Sequence, residues 1–348
     1  MSPGPLVTVA TGTARRRPAA LSAGLLLLAV LLLGSAALSL LVGSGHVALG
    51  DVVHGVFGPD RSVRGQLVIQ EVRLPRTLAG VLVGIALGLA GTVIQGLTRN
   101  PLADPGLLGV NAGAAVFVVL AISVFSLTAP DQYIWFGFLG ACLAAVLVYG
   151  VGSIGREGAT PVKLALAGAA TTAALGSVTS ALLLMDSGTF DQFRFWQVGS
   201  LGGRDIDVLR QALPFVAAGA LLAHFLGPRL NGLALGDDVA RGLGQRLGVT
   251  RALGALSVVL LCGAATAVAG PLGFVGLAVP HVARMITGPD HRWMLPYSAL
   301  IAPTLLLLAD VVGRIVARPG EIQVGVVTAA VGCVPFILLV RRSTRSAL

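Results

Sequence analysis

Charge, cysteine and lysine are scarce in this sequence. Only 11% of the 348 residues are charged, whereas a soluble domain usually carries about 25%. Apolar types make up 55% of the chain, and the mean hydropathy is +0.89. A folded chain of this composition would expose large apolar patches in water and aggregate. The composition therefore excludes a soluble protein and indicates one that is surrounded by membrane lipid.

The sequence also lacks the cysteine and histidine patterns that form disulfides or bind metals. The three cysteines, Cys142, Cys262 and Cys333, each stand alone in an apolar run, without any C-x-x-C pair. An odd number of isolated cysteines predicts neither a disulfide framework nor a zinc site. The five histidines show no metal-ligand spacing, so we expect no bound metal and no cofactor.

Catalytic signatures are missing as well. The sequence contains no G-x-x-x-x-G-K-[ST], no H-E-x-x-H and no G-x-S-x-G, and its one lysine is Lys163. The first absence excludes a P-loop nucleotide site, and the other two leave an intramembrane hydrolase without support. Nucleic-acid binding is not expected despite a net charge of +9, because the arginines are scattered between apolar runs instead of forming a patch. We therefore predict a conduit, not an enzyme, whose energy comes from another molecule.

Ten apolar runs predict ten transmembrane helices. A bilayer core is crossed by about 20 apolar residues in helix, and only α-helix satisfies its own backbone in lipid at that length, so we predict an all-α, polytopic fold. The eighth run is short and contains Pro280, so we expect it to be broken or tilted. The predicted domain, 19–342, lies between a basic tail, 1–18, and a short tail, 343–348. Its spans are 19–42, 77–97, 107–127, 133–151, 164–185, 208–226, 253–269, 272–286, 294–312 and 324–340.

The distribution of basic residues predicts the orientation. Ten helices place both termini on one side, and with that side inside, fifteen of the 24 basic residues fall in inner segments. Basic residues favour the cytoplasmic side, so we predict cytoplasmic termini.

The start of the sequence resembles a signal peptide in two respects, three arginines at 15–17 and small residues at 35–37. The apolar run nevertheless continues to Val42, which is too long for a signal-peptide core and favours a retained helix.

Glycine spacing in the second span predicts close packing. Gly80, Gly84 and Gly88 recur every fourth residue, so they share one helix face and let another backbone approach. We interpret them as packing within one chain in preference to a dimer contact.

Two shorter stretches are too polar for the interior of a span. At 73–76, arginines flank Pro75 on the outer side, either as interface anchors or as a docking point for an acidic partner. At 99–106 on the inner side, Asn100 suits an N-cap and Pro101 suits a first helical residue. Pro105, followed by glycine, would then end that helical turn.

The longest inner loop, 227–250, is the third irregular stretch. Gly236 would separate two short helices, the second capped by Asp237 or Asp238. The leucines of this loop require an apolar surface, which is either a protein partner on the cytoplasmic face or the bilayer itself.

At these segments the chain resembles the FecCD-type permeases, the membrane subunits of ABC importers for ferric siderophores, haem and cobalamin. The resemblance extends from residue 20 to the end of the chain and rests on long motifs in a fixed order. These motifs are RLPRTL at 73–78, GTVIQ at 91–95, RNPLADPGLLGV at 99–110, WQVGSL at 196–201, LNGLALGDDVARGLG at 230–244, GPLGFVGLAVPHVAR at 270–284 and DHR at 290–292.

The resemblance implies two ten-helix permeases, identical or paralogous, in a bacterial cytoplasmic membrane, with the substrate passing between them. Two cytoplasmic P-loop ATPase subunits would supply energy, and an extracytoplasmic binding protein would deliver substrate. Arg73, Arg76 and Arg314 resemble outer arginines that pair with acidic residues of the binding protein. The surface coupled to the ATPase would contain Leu230, Asn231, Leu233, Leu235, Gly236, Asp238, Ala240, Leu243 and Gly244. The translocation path and its helix packing would involve Gly80, Gly84, Gly88, Gln95, Asn100, Pro101, Gly199, Ser200, Gly273, Gly276, Pro280 and His281.

The last span departs from the family pattern. Members commonly carry Gly-x-Pro-x-Phe there, whereas this chain has Gly332 followed by Pro335 and Phe336. The displaced proline would rotate a helix kink by roughly 100°.

The cargo that we expect is a ferric siderophore, with haem or cobalamin as the alternative. An ion-coupled secondary transporter would need ion sites near the midplane and internal repeats, and the sequence shows neither clearly. A membrane enzyme would need a convergent set of catalytic groups, which is missing.

Overall fold

The computed structural model describes residues 18–43, 47–58, 60, 62–127, 129–155 and 160–333. These residues form a bundle of α-helices and contain no strand. By length and composition, seven described helices can cross a bilayer, and three shorter apolar helices accompany them. In chain order these ten helices correspond to the ten predicted spans, which confirms the all-α, polytopic architecture.

The described helices are numbered along the chain. They are α1 Pro18–Leu41, α2 Leu49–Phe57, α3 Arg64–Val68, α4 Leu74–Thr98, α5 Val110–Ser123, α6 Pro130–Gly152, α7 Pro161–Met185, α8 Ser187–Gln197, α9 Ile206–Ala234, α10 Asp237–Gly242, α11 Leu247–Ala269, α12 Val275–Thr287, α13 His291–Val316 and α14 Val324–Cys333. A π-helical turn, Ile69–Arg73, joins α3 to α4, and a 3-10 turn, Pro105–Leu108, precedes α5. Following the predicted orientation, we call the end of the bundle that contains α2 and α8 outer and the end that contains α10 inner.

Helices α4 and α11 form the centre of the bundle. Both are buried along most of their length, whereas the chain covers little of α1 and α7. Gly80, Gly84 and Gly88 of α4 all face α13, and a Cβ added at any of them would overlap atoms of that helix. The repeated glycines therefore pack two helices of one chain together, which agrees with the interpretation of their spacing.

Two of the three shorter apolar helices, α5 and α12, are described over their whole length and are too short to cross a bilayer alone. Helix α5 has 14 residues and α12 has 13, which is about 20 Å of helix against a hydrocarbon thickness of about 30 Å. Irregular segments precede them, 99–109 before α5 and 270–274 before α12. Each segment contains a non-glycine residue with positive φ, Arg99 at 52° and Phe274 at 67°. The predicted third span, 107–127, is therefore too long at both ends, because helix α5 covers only its middle.

The start of α12 lies in the interior, against α4 and against the 3-10 turn that precedes α5. A Cβ added at Gly91 of α4 would overlap the carbonyl of Gly276, and one added at Gly276 would lie 2.8 Å from the ring of Pro105. Gly91 precedes the end of α4 by seven residues, or about 10 Å of helix. The non-helical backbone at this depth is therefore covered by protein, as an apolar surrounding requires.

The inner loop differs from its predicted form. Helix α9 continues to Ala234 with Pro228 inside it, so the first of the two expected short helices is the end of α9. A proline within a membrane helix removes one hydrogen bond, and neighbouring groups can compensate for it. Only α10 is a separate short helix, and Gly236, with φ at 105°, precedes it as expected.

The tenth predicted span is described only in part. Helix α14 begins at Val324, where the predicted span begins. The displaced proline at 335, the tail at 343–348 and residues 1–17 of the basic tail lie outside the described residues.

Candidate functional site

The three arginines of the predicted docking site meet at the outer end of the bundle. Arg73 and Arg76 lie at the start of α4, Arg314 lies near the end of α13, and all three line one cavity of about 510 Å³. Their exposed fractions are only 4%, 6% and 1% respectively. Arg73 and Arg76 therefore do not extend to the surface as interface anchors, and docking of an acidic partner to these three arginines stays a prediction.

Asp310 supplies the opposite charge for two of these arginines. Its carboxylate accepts hydrogen bonds from Arg76 Nε at 3.0 Å and Nη2 at 2.8 Å, and pairs with Arg314 Nη2 at 3.1 Å. Asp310 itself has no exposed surface. Arg76 Nη1 also pairs with Glu321 at 2.6 Å, in the connection between α13 and α14. The charge of Arg76 is thus compensated within the chain.

Arg73 and Arg314 are buried because they bind the end of α1. Arg73 Nη1 donates to the carbonyls of Leu40 at 2.8 Å and Leu41 at 2.9 Å, and Arg314 Nη1 donates to the carbonyl of Ser39 at 3.0 Å. The last carbonyls of a helix lack partners within the helix and carry partial negative charge. The two arginines therefore hold the sparsely packed α1 against the centre of the bundle.

The outer cavity retains an excess of positive charge. Its described wall also contains Arg64, Asp51 and Glu321. Together with Asp310, which lies behind the wall and pairs with two of the arginines, the described part of this cluster has four arginines and three carboxylates. Among the described residues, the buried Nε of Arg314 has no hydrogen-bond partner. Guanidinium groups suit carboxylates, so this cavity is able to receive an additional anion.

Two acidic residues of this cluster were missed by the sequence reasoning. Asp310 lies two residues before the end of the predicted span 294–312, where ionisable side chains usually reach the surface. Its spacing of four residues from Arg314 was the available signal, because that spacing places both on one face of α13. Glu321 had no comparable signal, since its partner Arg76 is 245 residues away.

Gln95 joins α4 to helix α12 and to the irregular segment 99–109. Its Nε2 donates to the carbonyl of Leu277 in α12 at 3.1 Å and to that of Ala103 at 3.4 Å. Gln95 is 1% exposed. A relative movement of α12 and the 99–109 segment would therefore change the hydrogen bonds of this side chain.

The 99–109 segment contains two successive turns, and the sequence predicted the first of them. Asn100 Oδ1 accepts the backbone N–H two residues further on at 2.9 Å, and its carbonyl accepts the N–H three residues further on at 3.1 Å, so Asn100 caps a single turn that begins with Pro101. A second, 3-10 turn begins at Pro105, where Asp104 caps it by accepting the N–H of Gly106 at 2.8 Å. Pro105 was expected only to end the first turn, whereas it begins the second, because proline suits the first position after a capping aspartate.

Gly199 and Ser200 lie where three helices meet at the outer end. The N–H of Ser200 donates to the carbonyl of Ala269, the last residue of α11, at 2.8 Å. The carbonyl of Gly199 accepts the N–H of Gly325 in α14 at 3.2 Å. These predicted residues therefore connect α8, α11 and α14.

Helix α8 carries aromatic side chains at the outer end. Phe190 and Phe195 are exposed, and the guanidinium carbon of Arg194 lies 5.0 Å from the centre of the Phe195 ring. Asp186 caps this helix, and hydrogen bonds, chiefly from the side chain of Thr189, lower the pKa of its carboxyl. The exposed surface of α8 thus combines aromatic faces with a cation.

The remaining predicted path residues lie in or next to α12. Gly273 is exposed and has open space beside it. Pro280 is buried inside α12, and His281 is half-buried. Their positions are compatible with a path along α12 and assign no chemistry to it.

Most residues in the middle of the uncovered face of α7 are small or weakly polar, whereas large apolar side chains are exposed at Val178 and toward the helix ends, at Leu166 and Leu184. A lipid-facing helix usually carries large apolar side chains, whereas small residues are typical of helix–helix interfaces. The exposed residues of this face include Ala169, Ala170, Thr172, Ala173, Ser177 and Ser180.

The residues predicted to couple to an ATPase divide into buried and exposed groups. Leu230 and Leu233 are 0% and 1% exposed, and Ala240 is fully buried, whereas Leu235 and Leu243 are 65% and 64% exposed. The expectation that all four leucines face an external partner is wrong for Leu230 and Leu233, because the continuing α9 directs them into the core.

The exposed leucines form an apolar stripe at the inner end. Val239, which is 48% exposed, and Leu243 lie four residues apart on one side of α10, whereas Leu235 precedes the break at Gly236; we call these three exposed residues the apolar stripe. Asp238 is exposed beside them and pairs with Arg241 at 2.7 Å. An exposed apolar stripe with charged neighbours is typical of a surface that binds another protein.

Asn231 holds α9 against α13. Its Oδ1 accepts the backbone N–H of His291 at 2.8 Å, and its Nδ2 donates to Asp290 at 2.6 Å. The structure therefore gives Asn231 an internal contact.

Asp237 of α10 was missed by the sequence reasoning. It pairs with Arg251 and Arg99 inside the chain, and only the packing of α10 distinguishes it from Asp238.

Three comparisons with known proteins agree with this architecture. The FecCD transport family matches residues 28–342. The chain is 46% identical over 323 residues to the ferric enterobactin transport system permease protein FepD of Escherichia coli (strain K12), covering 92% of this chain and 95% of that protein. It is 38% identical over 277 residues to the hemin transport system permease protein HmuU of Yersinia pestis, covering 78% and 82%. A solved inward-facing conformation of a metal-chelate type ABC transporter matches with a TM-score of 0.80 and 29% identity, over 92% of this chain and 99% of that one.

The helix bundle, with its interrupted helices and charged outer end, defines a polytopic membrane transport protein. The match over most of the chain makes the assignment specific. The chain belongs to the FecCD transport family, whose members are permeases of ABC importers.

Proposed function

We propose that this chain is one of two permease subunits of an importer that carries a ferric siderophore across the bacterial cytoplasmic membrane, with both termini in the cytoplasm. The relation to the ferric enterobactin permease supports an iron chelate as cargo. Aromatic and cationic groups on α8 suit an anionic, aromatic chelate. Haem is the second candidate, because the hemin permease is also a relative.

The energy comes from two separate ATPase subunits, one for each permease. The subunit that belongs to this chain binds the apolar stripe at Leu235, Val239 and Leu243. This exposed stripe is the observation that carries the proposal, because the chain has no P-loop of its own and the stripe lies next to the only separate short helix of the described inner end. The second permease covers the small-residue face of α7, and the substrate passes along that interface.

Uptake assays in a strain lacking this gene test the cargo. Iron-labelled ferric enterobactin, an iron-labelled ferric hydroxamate, haem and cobalamin are supplied in turn. We expect loss of ferric siderophore uptake, restored by this chain only when the ATPase partner is present. Uptake that persists without any ATPase would contradict the proposal and favour an ion-coupled transporter.

A substrate-binding protein docks at the outer cavity through acidic side chains. The excess positive charge of the cavity and the exposure of Arg64 support this contact. We expect Arg64→Glu to weaken binding-protein affinity without unfolding the chain. Arg210→Glu is the matched control, because Arg210 is also exposed near the outer end but pairs with Asp207. Equal affinities of both variants and the parent would argue against docking at this cavity.

A further inference from the structure

Asp237 connects the separate inner helix α10 to two other parts of the chain. Its carboxylate pairs with Arg251 of α11 at 2.7 Å and with Arg99, just after α4, at 3.2 Å. The side chain of Arg251 is 10% exposed and that of Asp237 is 26% exposed, so the first pair is largely withdrawn from water. Asp238, by contrast, is 99% exposed and pairs only along its own helix with Arg241.

Both ends of α10 are glycines in the left-handed region. Gly236 has a φ of 105° and Gly244 a φ of 79°. Glycine adopts such angles without steric cost, so neither connection fixes the orientation of α10 through a side chain. The ion pairs of Asp237 and the buried Ala240 therefore determine how α10 sits on the bundle.

Arg99 begins the irregular segment that leads to the interior junction. It is a non-glycine residue with φ at 52°, a conformation that persists only where surrounding contacts hold it. Six residues later, Pro105 touches Gly276 at the start of α12. A short covalent path therefore leads from Arg99 to the contact between the 3-10 turn and the start of α12.

We propose that Asp237 is a positioning residue that transmits movement of α10 to the 99–109 segment through Arg99, with Arg251 as its fixed anchor on α11. The inference rests on the proposed function, in which an ATPase binds the apolar stripe beside Asp237. Nucleotide-driven displacement of α10 moves the carboxylate, and the paired guanidinium of Arg99 follows it. The 99–109 segment then changes its exposure at the inner end.

The test uses the full complex with its ATPase subunits and a thiol introduced into the moving segment. Leu102 is 48% exposed, so Leu102→Cys, in a chain whose three cysteines are replaced by serine, reports on this segment through its rate of maleimide labelling. Labelling and ATP hydrolysis are measured with and without Mg-ATP. Arg99→Gln breaks the contact to the segment and leaves the more deeply buried pair of Asp237 with Arg251 intact.

We expect Mg-ATP to change the labelling rate in the parental complex. Arg99→Gln should reduce that change at least about fivefold, the lower end of coupling between two sites, while ATP hydrolysis continues. Arg99→Lys, which keeps the cation, should restore the response. Arg292→Gln is the matched control, because Arg292 is also an exposed arginine at the inner end but lies in α13, outside the proposed ATPase surface, and it should leave the response unchanged.

Two kinds of result would overturn the inference, and they differ in meaning. If Arg99→Gln responds as the parental complex does, or if the parental complex hydrolyses ATP while its labelling rate does not change with Mg-ATP, the transmission through Asp237 is refuted while the importer function stands. If the chain assembles no ATP-hydrolysing complex, the proposed function fails and the transmission fails with it. A purely structural role is also excluded by the design, because it predicts loss of folded complex and of ATP hydrolysis in Arg99→Gln.

Discussion

Replacing Asp310 by asparagine should be among the most destabilising single changes at the outer end of the bundle. Asp310 has no exposed surface and is the carboxylate that Arg76 and Arg314 share. Removing one partner of a buried ion pair leaves an uncompensated charge and typically costs about 3–5 kcal/mol. The change would leave both arginines with Glu321 as their nearest carboxylate in this cluster, and would loosen the contact of Arg314 with the end of α1.

Glu321→Gln provides the comparison for this experiment. It removes a carboxylate from the same arginine, but the side chain of Glu321 is 35% exposed, and partly exposed pairs contribute about 0–1 kcal/mol. Thermal unfolding of the purified chain in mild detergent should therefore show a large decrease in Tm for Asp310→Asn and little change for Glu321→Gln. Similar decreases for the two variants would refute the reasoning that burial, not the number of ion pairs, determines the cost.

Three further predictions concern packing and the inner surface. Gly91→Ala places a methyl group on the carbonyl of Gly276 and should cost about 1–3 kcal/mol in an unfolding assay, whereas Gly176→Ala, which has open space, should be neutral. Leu235→Asp combined with Leu243→Asp should abolish co-purification of the ATPase without lowering Tm, whereas Leu233→Asp, at a buried position, should lower Tm; retained co-purification in the double variant would contradict the coupling surface. Asn231→Ala should cost about 1–3 kcal/mol, because it leaves buried partners at the start of α13 unsatisfied, and an unchanged Tm would show that this contact is dispensable.

Hydropathy and local motifs predicted much of the fold. Ten apolar runs identified ten membrane helices in order, because the requirement for a self-satisfied backbone in lipid acts locally. The glycines of the second span predicted a close helix contact from spacing alone. Helix boundaries were less predictable, as Pro228 shows: a residue that usually ends a helix lies within α9, where neighbouring helices determine the outcome.

Hydropathy and local motifs could not predict which residues the charged side chains contact. Arg76 meets Asp310 across 234 residues of chain, and nothing in either local sequence indicates the other. The leucines of the inner loop illustrate the same limit, since Leu233 is buried and Leu235 is exposed. Their difference depends on where α9 ends and on which face of it meets the bundle, and both follow from tertiary packing.

The contact between Gly91 and Gly276 has a mechanical consequence. Where two backbones touch without intervening side chains, no interlocked rotamers resist translation of one helix along the other. Movement at this contact would be a shear, in which one helix slides along the other, and not a hinge motion of a flexible loop. A transport cycle that uses this contact would keep α4 and α12 rigid and change only their relative position. The two glycines would then determine the direction in which α12 slides along α4.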